Sequence, residues 1–102
     1  MNLEGSAAVI TGGASGIGRA CALAMARRGC EVVIADVNED RMRATVSDIR
    51  ALGRRSAGVR CDVSRDGELE HLAERAITQM GRIDVLMNNV ASSWEVRSSR
   101  LR

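Results

Sequence analysis

Lysine, tyrosine, phenylalanine and proline are all absent from this 102-residue chain, and tryptophan occurs only once. The 15 basic residues are therefore all arginines. Without lysine the chain cannot form a Walker-type phosphate loop, which requires a Gly-Lys pair. A hydrophobic content of 45% still allows a core, which must be built almost entirely from aliphatic side chains. At this length we expect one small domain.

Long apolar runs are also lacking, because the longest have the length of a strand. We therefore expect neither a signal peptide nor a membrane span. The three cysteines, Cys21, Cys30 and Cys61, are odd in number and lack C-x-x-C spacing. This pattern does not fit a disulfide or zinc framework and is typical of reduced thiols. We expect a cytoplasmic protein without a metal site.

A glycine-rich turn stands out among the features that are present. Residues 11–18 read Thr-Gly-Gly-Ala-Ser-Gly-Ile-Gly, directly after the apolar run 7–10 and before the helix-like segment 19–28. The order strand, glycine turn, helix is that of a phosphate cradle, since the first N–H groups of a helix are free to bind an anion. The alternative is a loop that merely turns the chain.

Each glycine of the turn has a separate expected role. Gly12 allows the sharp exit from the strand, Gly16 lets the phosphates approach the backbone, and Gly18 lets the helix lie close to the strand. The hydroxyl of Ser15 could bond a phosphate or ribose oxygen. The sequence therefore predicts a pyrophosphate-bearing ligand.

An acid ends the second predicted strand, which spans residues 31–36. Asp36 follows Gly18 by 18 residues, close to the spacing at which a Rossmann unit binds the adenosine ribose. Its charge would repel a 2′-phosphate, which favours NAD over NADP as the cofactor. The alternative is a solvated acid that caps the next helix.

The third predicted strand, 57–61, precedes Asp62 and Val63, and the fourth, 83–87, precedes Asn88. Strands alternate with helices, which predicts an α/β fold: a partial Rossmann-type, doubly wound parallel sheet of four strands in the order 3-2-1-4 with flanking helices. We expect the second helix to begin after the N-cap Asn38 and to end before Gly53, and the third to run from after Ser64 to Gly81. All four strands would deliver small or polar residues to the carboxyl edge of the sheet, where ligands bind.

These motifs, in this order and spacing, resemble the short-chain dehydrogenase/reductase family from Leu3 to about Ala91. The resemblance implies that Ser15 and Ile17 contact the phosphate side of the cofactor and that Asp36 holds the adenosine ribose. It implies further that Asp62 and Val63 flank the adenine and that Asn88 lies near the cofactor ribose. The family's usual Asn-Asn-Ala-Gly is Asn-Asn-Val-Ala at 88–91, which adds bulk on the nicotinamide side.

Family members run to about 250 residues and use a tyrosine and a lysine as their catalytic pair, neither of which exists in this chain. Arginine is no substitute for the lysine because it stays protonated. His71 falls outside the apolar face of its helix, and Cys61 has no base to pair with, so we predict no catalytic residue. We therefore interpret residues 1–91 as the NAD-binding part of such an enzyme, inactive alone. The alternatives are a non-catalytic nucleotide-binding or interaction module and an unrelated Rossmann-like protein.

Residues 92–102 differ from the rest in containing three arginines, one glutamate and the only tryptophan. We interpret this off-pattern tail as the result of a frame change or premature stop, and expect it to be disordered or loosely docked. A basic tail that binds nucleic acid is the alternative, on too few residues to be preferred. Unless the tail covers it, the fourth strand would be an exposed edge at 85–87 that invites self-association.

Overall fold

A computed structural model describes residues 3–14, 16–90 and 93–101 of the chain. Across these residues, helices and strands alternate until the last two elements, which are both strands. The elements are β1 (Ala7–Thr11), α1 (Gly16–Arg27), β2 (Glu31–Asp36), α2 (Glu39–Ala51), β3 (Ser56–Arg60), α3 (Glu68–Met80), β4 (Ile83–Val90) and β5 (Ser93–Leu101).

The strands form one sheet in the order β3-β2-β1-β4-β5. The first four are mutually parallel, which confirms the predicted order 3-2-1-4. All five residues of β1 are buried, as expected for a strand that has parallel neighbours on both sides and helices over both faces. After β3 the chain returns through α3 to the other side of β1, so the carboxyl ends of β1 and β4 meet beside the glycine turn.

Apolar side chains cover both faces of the sheet. On one face α1 and α2 pack against Ile10, Val32 and Ile34. On the other face Leu72 and Ala76 of α3 pack against the strands. Met42, Val46 and Ile49 of α2 are all buried on this side of the sheet. The sheet is therefore doubly wound, with helices on both sides.

The capping residues explain where α2 begins and where α3 begins and ends. The side chain of Asn38 accepts a hydrogen bond from the N–H of Arg41 (3.0 Å), which confirms it as the N-cap of α2. Gly81, at a φ of 82°, ends α3 as predicted. The start of α3 lies later than expected: Gly67 occupies the N-cap position at a φ of 81°, and turns fill the stretch from Ser64 onward.

The tail is the main departure from the expected fold. Ser93–Leu101 forms β5, antiparallel to β4, and β4 is longer than predicted, reaching Val90. The expectation of a disordered or loosely docked end is therefore wrong. An open strand edge presents a row of unpaired N–H and C=O groups, and the tail supplies their partners. The edge expected to be exposed at residues 85–87 is covered, which removes the basis for self-association there.

Candidate functional site

The glycine turn leaves β1 with its backbone tied to β2. Gly12 has a φ of 64°, a conformation that other residues rarely adopt. Its N–H donates to the carbonyl oxygen of Ala35 at 2.7 Å. A Cβ at Gly12 would lie 2.9 Å from Nδ2 of Asn89, so β4 also crowds this position. The turn therefore starts at a point fixed by both neighbours of β1.

Gly18 lies where α1 crosses the turn. A Cβ at this position would collide with the carbonyl oxygen of Gly12 and would lie 3.1 Å from Cα of Gly13. Both neighbours are backbone atoms, which cannot move aside as a flexible side chain can. The predicted role of Gly18, close packing of helix against strand, is confirmed by this contact.

The beginning of α1 is open. Gly16 is exposed, has a φ of 58°, and a Cβ added to it would meet nothing within 4 Å. Ile17, the next residue, is 63% exposed. The first turn of α1 contains no acidic residue, whereas α2 carries Glu39 and Asp40 there and α3 also has acidic residues in its first turn. Within α1, therefore, no acidic side chain of the first turn offsets the positive end of the helix dipole. Ser15, predicted to bind the ligand, lies outside the described residues.

Asp36 joins the turn to the end of β2. One carboxylate oxygen accepts from the N–H of Ala14 (3.1 Å) and the other accepts from the N–H of Asn38 (3.0 Å). Within the described part of the chain, no arginine forms an ion pair with this carboxylate. A carboxylate has about four acceptor positions, so two remain for further donors such as ribose hydroxyls.

Asn88 lies in β4, directly after the predicted strand 83–87, and pairs with Thr11 at the end of β1. Its Oδ1 accepts from the hydroxyl of Thr11 at 2.8 Å, and the same hydroxyl accepts from the N–H of Asn89 at 2.9 Å. Thr11 is 1% exposed. The two strand ends that flank the turn are thus fastened together. Thr11 was part of the motif, but its bonds to Asn88 and Asn89 have no signal in the sequence.

Asp62 follows β3 in a turn of its own. Its Oδ1 accepts from the hydroxyl (2.6 Å) and the N–H (3.1 Å) of Ser64, and these bonds lower the pKa of the Asp62 carboxyl. The N–H of Asp62 donates to Oε1 of Glu68 (3.2 Å), a brace that the sequence reasoning missed. Val63 is half-buried against the α3 core. Hydrogen bonds within this loop and to the first residue of α3 therefore hold Asp62 in place.

Two residues were considered as alternative catalysts, Cys61 and His71, and neither provides an activated group. Cys61 is buried, and burial raises the pKa of its thiol, which keeps it protonated at neutral pH. Burial raises the pKa of the Cys30 thiol in the same way. His71 is exposed on α3, as predicted. Among the described residues, no group of three or more His, Cys, Asp and Glu side chains could hold a metal ion.

The helices of the described ranges are too short or too polar for any of them to span a bilayer.

Comparison with known proteins agrees with this geometry. The family model of the short chain dehydrogenases matches residues 6–102. A curated relative, 7alpha-hydroxysteroid dehydrogenase of Escherichia coli strain K12, is 39% identical over 89 residues, which are 87% of this chain and 35% of the relative.

Two solved structures are similar in fold as well as in sequence. The hydroxysteroid dehydrogenase from Escherichia coli superposes with a TM-score of 0.84 at 38% identity, covering 89% of this chain and 39% of that one. A short chain dehydrogenase/reductase from Burkholderia phymatum in complex with NAD gives a TM-score of 0.80 at 41% identity, covering 84% and 31%. The chain thus spans between 30% and 40% of the length of these proteins. Together the family model, the sequence identity and the sheet order show that this chain belongs to the short chain dehydrogenase family.

Proposed function

We propose that this chain is the NAD-binding part of a short chain dehydrogenase and that it binds the cofactor through the glycine turn. The open N-terminus of α1 carries the proposal. There the backbone at Gly16 is accessible and the first turn of the helix contains no acidic residue. A pyrophosphate would accept hydrogen bonds from the free N–H groups and would supply the missing negative charge.

The residues of this edge fit a dinucleotide. A side chain at Gly12 would collide with Asn89 and one at Gly18 with the backbone of the turn, so the shape of the turn depends on both glycines. Asp36 would accept the adenosine ribose hydroxyls at its two remaining acceptor positions. Asp62 and Val63 would flank the adenine, with Ile17 on the phosphate side. Asn88, fastened to Thr11, would lie near the second ribose.

NAD is the proposed form of the cofactor because Asp36 has no cationic partner in the described part of the chain. A 2′-phosphate placed against this uncompensated carboxylate would be repelled at short range. The NAD-bound relative supports the same choice by analogy.

The proposed chain binds the cofactor but does not catalyse the reaction. A nicotinamide dinucleotide, when bound, accepts or donates a hydride. In the full-length relatives that hydride would be exchanged with an alcohol or carbonyl carbon. The transfer also needs a group that moves the hydroxyl proton. This chain has no tyrosine or lysine to do so. We therefore propose that these 102 residues bind NAD without turning it over.

A non-catalytic nucleotide-binding module is the second candidate, favoured by the same missing tyrosine and lysine. The coding DNA downstream of residue 102 distinguishes the two candidates. A Tyr-x-x-x-Lys motif there, in any reading frame, would favour an interrupted enzyme.

Calorimetry with NAD, ADP-ribose and NADP tests the proposal. If the adenosine and pyrophosphate contacts provide the affinity, NAD and ADP-ribose should bind equally and NADP should bind at least tenfold more weakly. NAD binding ten times tighter than ADP-ribose, about 1.4 kcal/mol, would reveal a nicotinamide pocket. A dehydrogenase assay on the same sample should show no NADH formation with simple alcohols. Failure of both NAD and ADP-ribose to bind would overturn the proposal.

A further inference from the structure

The outer edge of β3 is an open edge of the sheet. On its inner side β3 pairs with β2: the carbonyl of Arg55 accepts from Val32 N–H (3.1 Å), and Cys61 N–H donates to the carbonyl of Asp36 (3.2 Å). In a parallel ladder the residues between these bonding positions turn their N–H and C=O groups the other way. The outward-facing groups of β3 therefore belong to Ser56, Gly58 and Arg60.

The chain covers only one end of this edge. The guanidinium of Arg50, from α2, donates through Nε (3.1 Å) and Nη2 (2.9 Å) to the carbonyl oxygen of Ser56. No such cap exists at Gly58 or Arg60 in the part of the chain that the structure describes. Both residues are exposed. Two consecutive outward-facing residues are thus left for a further strand.

A groove of about 530 Å³ runs along the same edge, between β3 and α2. Met42 and Val46 form its apolar floor, together with the backbone of Gly58. A Cβ at Gly58 would lie 3.0 to 3.1 Å from three atoms of the Met42 side chain. The absence of a side chain at Gly58 therefore preserves the depth of the groove. An added strand would place alternate side chains in this groove, because side chains alternate between the two faces of a sheet.

The rim of the groove is positively charged. Three arginines, Arg43, Arg50 and Arg60, face one acid, Glu39. Arg60 forms no ion pair within the described ranges. The pair between Arg43 and Asp40 is long (3.6 Å), with side chains 74% and 93% exposed, so it neutralises little of the charge. The groove is therefore suited to a ligand with carboxylates.

We propose that an extended acidic peptide segment of a partner protein adds as a sixth strand along β3. Its backbone bonds the open groups of Gly58 and Arg60, and its carboxylates bind Arg43 and Arg60. A second copy of this chain fits less well, because edge-to-edge pairing would bring like-charged arginines together. A nucleic acid would satisfy the charge but could not continue the ladder of backbone hydrogen bonds.

A fluorescence anisotropy titration tests this inference with a labelled eight-residue peptide in which glutamate alternates with valine and threonine. We expect saturable binding in the micromolar range, and none for the same peptide with lysine in place of glutamate. A third peptide keeps the glutamates but carries N-methyl groups at alternate residues, which remove the N–H groups of one edge. Its binding should be at least tenfold weaker if strand addition is the mode.

Two charge reversals locate the site. Arg43→Glu and Arg60→Glu should each weaken the peptide at least tenfold, while Arg75→Glu, an exposed arginine on α3 with the same change in net charge, should have no effect. Equal weakening by all three variants, or equal binding of the N-methylated peptide, would overturn the proposal. So would tighter binding of a single-stranded oligonucleotide that depends on Arg60, or light scattering that shows a dimer lost on Arg60→Glu.

Discussion

Two aspartates at opposite ends of the same sheet use their carboxylates in different ways. Asp84, at the start of β4, accepts from the N–H of Ala7 at 2.9 Å and pairs with Arg82 at 2.6 Å. Asp36, at the end of β2, accepts from the N–H of Ala14 at 3.1 Å and has no cationic partner among the described residues. Both fasten one strand to the backbone of its neighbour, but only Asp36 keeps an uncompensated charge.

The difference extends along both edges of the sheet. At the amino edge, ion pairs neutralise the acids: Glu31 is bonded by Arg55 through two guanidinium nitrogens, which raises the pKa of that arginine. At the carboxyl edge, Thr11, Asp36 and Asn88 position backbone groups around an open helix end. The amino edge therefore serves stability, while the carboxyl edge is where we propose that the ligand binds.

The largest expected effect is at Gly18. Gly18→Ala places a methyl group against the carbonyl of Gly12, so we expect a loss of about 3 kcal/mol in the free energy of unfolding, at the upper end for overpacking. We expect nucleotide binding to be lost with it. Urea denaturation measures the stability change.

Gly53→Ala is the control for a glycine without a close neighbour. Gly53, unlike Gly18, has a positive φ, 83°, but a Cβ added to it would meet open space, so the free energy of unfolding should fall by only about 1 kcal/mol. If the two variants are equally stable, the close contact between turn and helix is not what Gly18 provides.

The next effect concerns the amino edge. Asp84→Ala leaves the N–H of buried Ala7 without this acceptor, so we expect a loss of about 1–3 kcal/mol in stability. Nucleotide affinity should stay within twofold in the folded protein. Thermal unfolding and calorimetry measure the two quantities.

Asp48→Ala provides the control because Asp48 also pairs with an arginine, Arg19, but is 52% exposed. Asp48→Ala should lower the free energy of unfolding by at most about 1 kcal/mol. A strong loss of nucleotide binding in Asp84→Ala would break the distinction between the two edges.

Much of this distinction could be read from the sequence, because strand ends and glycine spacing are local signals. The strand 31–36 and the N-cap Asn38 were predicted as found. The hydrogen bonds that Asp36 accepts from Ala14 and that Asn88 accepts from Thr11 were not predicted. They depend on how strands far apart in sequence are aligned. β5 was missed because composition and charge describe a segment but not the open edge beside it. The site residues remain predictions until binding is measured.

The smallest effect is at Asp62. Ser64→Ala removes the hydroxyl that most lowers the pKa of the Asp62 carboxyl, so that pKa should rise toward the ordinary value of 3.8. A lowered folded-state pKa contributes stability above pH 3.8 that is lost as the pH falls through the folded value. The variant should therefore lose less stability on acidification than the wild type.

NMR titration of the Asp62 carboxyl group measures the pKa directly, and Ser47→Ala, an exposed serine on α2, serves as the control. An unchanged pKa in Ser64→Ala would show that another group orders this loop.

The central claim is that the carboxyl edge holds a dinucleotide through Asp36 and the open end of α1. Calorimetric titration of NAD into wild type, Asp36→Ala and Asp84→Ala tests it most directly. We predict that Asp36→Ala weakens NAD at least tenfold, about 1.4 kcal/mol, and narrows its preference over NADP, while Asp84→Ala leaves both unchanged. Unchanged NAD affinity and an unchanged NAD-to-NADP ratio in Asp36→Ala would contradict the account.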